Sequence, residues 1–181
     1  MSKFRAAYRY ALAVISVAEE QKKLDEMNSD FQFLEGNINQ SRDMLLFLKS
    51  PVVNSERKKR ILSELFQGTV GDVTMKFLNL LASKGREGLL PEIIQQFYRL
   101  RDQHLDILNV TARTAVKFSD AQEHQLIGQL ERVTKKKIRI GFVVDPSLKG
   151  GFTVQYDDTV WDASVRHQLE LLLEQFVEVT E

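Results

Sequence analysis

Cysteine is absent from the 181-residue chain. That absence removes disulfides, thiolate nucleophiles and thiolate zinc sites together, and it fits a reducing compartment. Histidine is nearly as scarce: His104, His124 and His167 lie in separate segments, with no His or Cys at metal-ligand spacing, so each reads as structural or superficial. No 18 apolar residues run together, and the opening MSKFRAAYRYALAV holds no uninterrupted leader-type apolar stretch. Membrane association is therefore expected only through partners. An excess of charge is missing too. Lys+Arg and Asp+Glu are both 25, so no global field draws nucleic acid or an anionic bilayer, and a charged partner must meet a local patch.

What is present is 43% apolar and 28% charged residues, enough for one or two cores in a chain of this length. From Ser2 to about His104 the pattern is helical, with breaks expected at Gly36, Ser50-Pro51, Gln67 to Gly71 and Lys84 to Gly88. Asn54 or Ser55 can cap the helix entered near Glu56, and Asp72 suits an acidic first turn. Leu90, Ile93, Ile94, Phe97 and Leu100 mark a last long helix. Beyond Leu105 the period becomes two: Leu108, Val110, Ala112, Thr114 and Val116 alternate, as do Ile138, Ile140, Phe142 and Val144, then Phe152, Val154 and Tyr156. Between the first two runs Ser119 and Gln122 form a capping box for a helix carrying Leu126, Leu130 and Val133. Asp157-Asp158 reads as a tight turn. A final helix from about Ala163 spaces Val165, Leu169, Leu172, Phe176 and Val179 by 4, 3, 4 and 3. The expected fold is α+β, with a bundle of five or six helices over residues 1–105 and a small α/β domain over 106–181.

Two helices carry more apolar surface than a bundle core needs. On the first, Phe4, Ala7, Tyr8, Ala11, Ile15 and Ala18 gather on one side. Ala6, Tyr10, Ala13 and Val17 form a second stripe about 140° away, at 100° per residue. On the helix from Asp72 to Lys84, apolar residues leave only Lys76, Asn79 and Ser83 as a polar strip. Either both helices are central and covered on all sides, or a groove between them accepts an amphipathic helix from another protein.

Candidate chemical motifs read as structural. In DPSLKGGFTV (145–154) the lysine precedes the glycines and a strand follows, the reverse of a phosphate-binding loop. The glycine pair instead suggests positive φ or a close approach of neighbouring chain. In SKGREG (83–88), Gly85 suits a helix C-cap. Asp145, Asp157, Asp158 and Asp162 lack a positioned basic partner and mostly occupy turn contexts. The basic runs ERKKR (56–60) and TKKKIR (134–139) lack interleaved aromatics and read as solvated faces, although they leave a helical RNA-binding adaptor as the alternative function. No catalytic or metal-ligating set is visible, and no cofactor is expected.

Three stretches carry a resemblance: AYRYALA at 7–13, FLNLLASKGREGLLPEI at 77–93 and VDPSLKGGFTVQYDDTVWDASVRHQL at 144–169. Together they resemble the delta subunit of bacterial F-type ATP synthases, the family of the oligomycin-sensitivity-conferring protein. Ala163 stands where that family commonly has glycine, and Trp161 where an aliphatic residue is usual. The resemblance implies a non-catalytic stator subunit, single in a hetero-oligomer, on the cytoplasmic face of the plasma membrane. Its helical domain would bind the amino-terminal helix of an α subunit on the catalytic head, and its C-terminal domain the b subunits of the peripheral stalk. Such a tether resists rotor torque during proton-driven ATP synthesis, without contacting nucleic acid or entering the bilayer. The residues expected at the head are Ala6, Tyr10, Ala13, Val17, Leu78 and Leu81. Those expected at the stalk are Leu169, Leu172, Leu173 and Phe176.

Overall fold

The computed structural model describes residues 3–156 and 159–178, with side chains from 174 to 178 outside the description, so the Asp157-Asp158 turn, Val179 and the Phe176 side chain fall outside the described residues. The chain divides into two compact units, residues 1–101 and 102–181.

The first unit is built from α1 (Lys3–Glu20), α2 (Leu24–Gln40), α3 (Arg42–Lys49), α4 (Ser55–Phe66), α5 (Asp72–Ser83) and most of α6 (Leu90–His104). Its caps follow the sequence closely. The Asn54 side chain accepts from the Arg57 N–H at 2.8 Å to start α4, and Ser41 starts α3 by accepting from Met44. Helix α5 ends in a Schellman arrangement, with Gly85 at φ +61°, Arg86 N–H donating to Leu81 O and Gly85 N–H to Ala82 O. Two breaks differ from expectation. Gly36 does not interrupt α2, because Phe31, Leu34 and Ile38 bury a continuous stripe across it and outweigh the roughly 1 kcal/mol that one helical glycine costs. The chain turns instead between α1 and α2, where Lys22 takes a left-handed φ of +56°.

The core of this unit is centred on aromatic residues. Phe31 meets Phe97 edge-on at 4.6 Å between centroids and Phe77 at 6.1 Å, and Phe77 in turn meets Tyr10 at 6.5 Å. Such pairs add about 0.5–1.5 kcal/mol each beyond the burial of their area. Around them pack Ala7, Ala11, Ile15 and Ala18 of α1, as its first stripe predicts, but Phe4 and Tyr8 from that stripe are exposed. The run at 56–60 is also not wholly solvated: Lys58 is buried, ion-paired with Glu87 and donating to Leu48 O at 3.1 Å.

The second unit holds a four-stranded sheet of order β2-β1-β3-β4, formed by β1 (Ile107–Thr114), β2 (Lys137–Val144), β3 (Phe152–Tyr156) and β4 (Thr159–Asp162). β1 and β2 are parallel, joined through α7 (Asp120–Thr134), and the other two pairings are antiparallel. Ser119 and Gln122 make the capping box that begins α7. Leu126 and Leu130 of that helix bury against Val110, Ala112 and Val154. Val116 is exposed because β1 ends at Thr114 before reaching it, and Val133 and Val144, in the last turn of α7 and at the last position of β2, are exposed as well. In DPSLKGGFTV, Pro146–Leu148 is a short 3-10 turn, and Gly151 takes φ +72° where an added Cβ would lie 2.2 Å from Ala163 O. The glycine pair is thus a close-approach device between the β3 entry and the chain leading to α8 (Val165–Glu178).

Candidate partner-binding groove

Helices α1 and α5 leave an open apolar groove of about 220 Å³ between them. Tyr10, Ala13, Val14, Val17 and Gln21 form its α1 wall. Val73, Lys76, Phe77 and Leu80 form its α5 wall. The second α1 stripe therefore opens on the groove at Tyr10, Ala13 and Val17, whereas Ala6 packs against the core and does not line it. Leu78 and Leu81 are corrected by the structure. They are 1% and 0% exposed, pointing into the bundle on the same arc as Thr74 and Phe77, so neither reaches the groove. Leu80, 46% exposed, takes their place.

The register of α5 is set from α2. Asp30, buried, accepts from Gly71 N–H at 2.9 Å and Thr74 Oγ1–H at 2.5 Å, holding the first turn of α5 with a carboxylate where the helix dipole favours one. Thr74 therefore turns inward although it is polar, and this rotates Val73, Lys76 and Leu80 outward to face α1. Tyr10 is oriented by its edge contact with Phe77, so the groove wall is continuous with the core. Val14 and Phe77 form its floor, being almost wholly buried.

In the second unit α8 is apolar yet largely unburied. Leu169, Leu171, Leu172 and Leu173 are 44 to 65% exposed. Ser164 begins the helix by accepting from His167 N–H, and Arg166 lies 3.9 Å from Glu170, but nothing described in this unit covers the leucines. Four large apolar side chains so exposed on one short helix mark an interaction surface.

The remaining motifs have structural roles. Asp145 Oδ1 accepts from the Ser147 hydroxyl at 2.6 Å and its N–H at 3.0 Å, and these bonds, with Arg113 nearby, hold its carboxyl below the usual range. Ser164 does the same for Asp162. Asp102 accepts from Asn109 at 2.7 Å and pairs with Arg139 at 3.1 Å, so the run at 134–139 is partly neutralised. His124 faces the Asp120 carbonyl from an exposed position. Among the described residues no group of three His, Cys, Asp or Glu could hold a metal, and no helix is long and apolar enough to cross a membrane.

A helical unit with an apolar groove and an α/β unit with a bare leucine helix define a docking protein, built to join other proteins. The sequence profile of the family described as ATP synthase delta (OSCP) subunit matches residues 6–176, and the chain belongs to that family. It is 44% identical over 172 residues to the "ATP synthase subunit delta" of Chlorobium phaeobacteroides strain BS1, spanning 95% of this chain and 96% of that protein. The subunit of the same name from Chlorobaculum parvum is 43% identical over 95% of both chains. A chain of the Toxoplasma gondii mitochondrial ATP synthase hexamer superposes with a TM-score of 0.67 at 21% identity, covering 94% of this chain and 97% of that one, a likeness of fold. The protein is accordingly a non-catalytic, peripheral-stalk subunit of an F-type ATP synthase. The RNA-adaptor alternative has no support. Its two basic runs are partly spent on Glu87 and Asp102.

Proposed function

We propose that the subunit works as a two-ended tether, residues 1–105 holding the catalytic head and residues 106–181 the stalk. The α1–α5 groove, at Tyr10, Ala13, Val17 and Leu80, takes the amino-terminal helix of an α subunit. Helix α8, around Leu169, Leu172, Leu173 and Phe176, takes the b subunits. The assembly places the chain on the cytoplasmic face of the plasma membrane, attached only through these partners. The observation that carries this reading is the groove, an open apolar slot with one wall from each of two helices, the kind of surface on which an amphipathic helix lays its apolar face. The bare leucines of α8 support the second attachment.

The two attachments act in series, so rotor torque loads both equally and the weaker one sets the limit. Nanomolar affinity at each, about 12 kcal/mol, is the expected scale. The division of labour is tested by two variants in binding assays with the isolated catalytic head and with the soluble part of b. Leu80→Glu should release the head and keep the stalk, and Leu172→Glu the reverse. Loss of both partners from either variant, with folding intact, would contradict the assignment.

A further inference from the structure

We infer that the chain, when outside the assembly, pairs with a second copy of itself along the free edge of β2, joining two sheets into one. The inference is independent of what the groove and α8 bind. β2 is an eight-residue edge strand whose one neighbour is β1. Lys137 N–H donates to Asp106 O at 2.9 Å and Asp145 N–H to Thr114 O at 2.8 Å. The odd-numbered residues from 137 to 145 therefore turn their backbone groups to β1, and the even-numbered ones turn theirs outward. Of the outward donors, Ile138 N–H meets Glu131 Oε1 at 3.3 Å, and those of Ile140, Phe142 and Val144 have no partner among the described residues. The register with β1 runs without a bulge, the strand holds no proline, and Val143 and Val144 are 45% and 51% exposed. An unpaired edge of this length is a template for another strand.

The edge is complementary to itself. In a two-fold antiparallel pairing centred on Gly141, Ile140 faces Phe142 and Ile138 faces Val144, so the outward donors and acceptors meet, and these apolar side chains, on the α7 face, continue the core across the joint. On the opposite face Lys137 of each copy stands opposite Asp145 of the other, and Gly141 opposite itself puts neither bulk nor charge on the axis. Asp145 keeps an oxygen for that contact: Oδ1 takes both Ser147 bonds, and Oδ2 has Arg113 at 4.0 Å. Lys135 and Lys136 face Ser147 and Pro146, so no like charges are directly opposed. Glu131 is the one group that must withdraw, its bond to Ile138 N–H being replaced by the Val144 carbonyl of the other copy. Moving the axis to Ile140 or to Phe142 leaves Val144 or Ile138 facing a residue outside the strand, Lys136 or Pro146.

The test is sedimentation equilibrium of the full chain from micromolar to near-millimolar concentration, with circular dichroism as the folding control. The wild type should pass reversibly from monomer to dimer. Lys137→Glu, which opposes two carboxylates at both ends of the joint, should raise the dimer dissociation constant about tenfold. Val144→Pro, which deletes one edge N–H from each copy, should also raise it about tenfold. The absence of cysteine lets the register be read directly. Oxidation with diamide should cross-link Gly141→Cys, whose Cα atoms come within about 5 Å, but not Val143→Cys, whose copies stand about 14 Å apart. A wild type that stays monomeric at every concentration overturns the inference. So does a dimer that ignores both edge variants, that leaves Gly141→Cys unlinked, or that is lost instead on Leu172→Ser with Leu173→Ser, which would place the contact on α8.

Discussion

Lys58 shows what one buried charge does in the helical unit. With Glu87 and the Leu48 carbonyl it clasps the end of α3 and the α5–α6 connection to α4, and both charged side chains are at least nine-tenths buried. Removing one partner should be far worse than removing both. Lys58→Met leaves Glu87 uncompensated and should cost about 3–5 kcal/mol in urea unfolding, whereas Lys58→Met with Glu87→Leu should recover most of that loss. Asp145 supplies a pH dependence of the opposite kind, at the surface. Its folded-state carboxyl is lowered by the Ser147 bonds, so its contribution is present above the unfolded value near 4 and disappears as pH falls through the lower folded value. The melting-temperature gap between wild type and Asp145→Asn, read at pH 7, should therefore close by about pH 2. Gly151→Ala meets both a left-handed φ and the Ala163 carbonyl, and should destabilise the second unit by roughly 2 kcal/mol or more in thermal unfolding.

At the scale of elements, helix α8 allows a sharp separation of stability from binding. Because Leu169, Leu172 and Leu173 are already exposed, Leu172→Ser with Leu173→Ser should change the melting point by no more than about 2 °C while abolishing co-elution with b. Most elements were legible in the sequence because their signals are local. The capping box at Ser119, the Asn54 cap and the switch from period 3.6 to period 2 after Leu105 each act within a few residues. Departures arise where a distant residue decides. Gly36 stays helical through burial of its neighbours, and α5 is rotated by Asp30 from 44 positions upstream of Thr74, so Leu80 and not Leu78 or Leu81 reaches the groove. Counting around a helix finds a surplus of apolar arc; it does not tell which arc the rest of the bundle covers. Val73 and Leu80 fall about 20° apart beside Lys76 of the polar strip, the only hint the sequence offered.

For the whole molecule, the account needs an open groove before any partner arrives, with Ala13 exposed at one wall and Leu80 at the other. A small side chain at residue 13 lets a guest helix approach closely, and filling that space should block it without touching the core, where Ala7, Ala11 and Ala18 do the packing. Ala13→Trp compared with wild type, both titrated with the α-subunit amino-terminal peptide in a calorimeter, is the most direct test. The variant should unfold at the wild-type temperature and bind at least about 100-fold more weakly, roughly 2.8 kcal/mol. Wild-type affinity in a folded Ala13→Trp protein would mean that the head is held somewhere other than between α1 and α5.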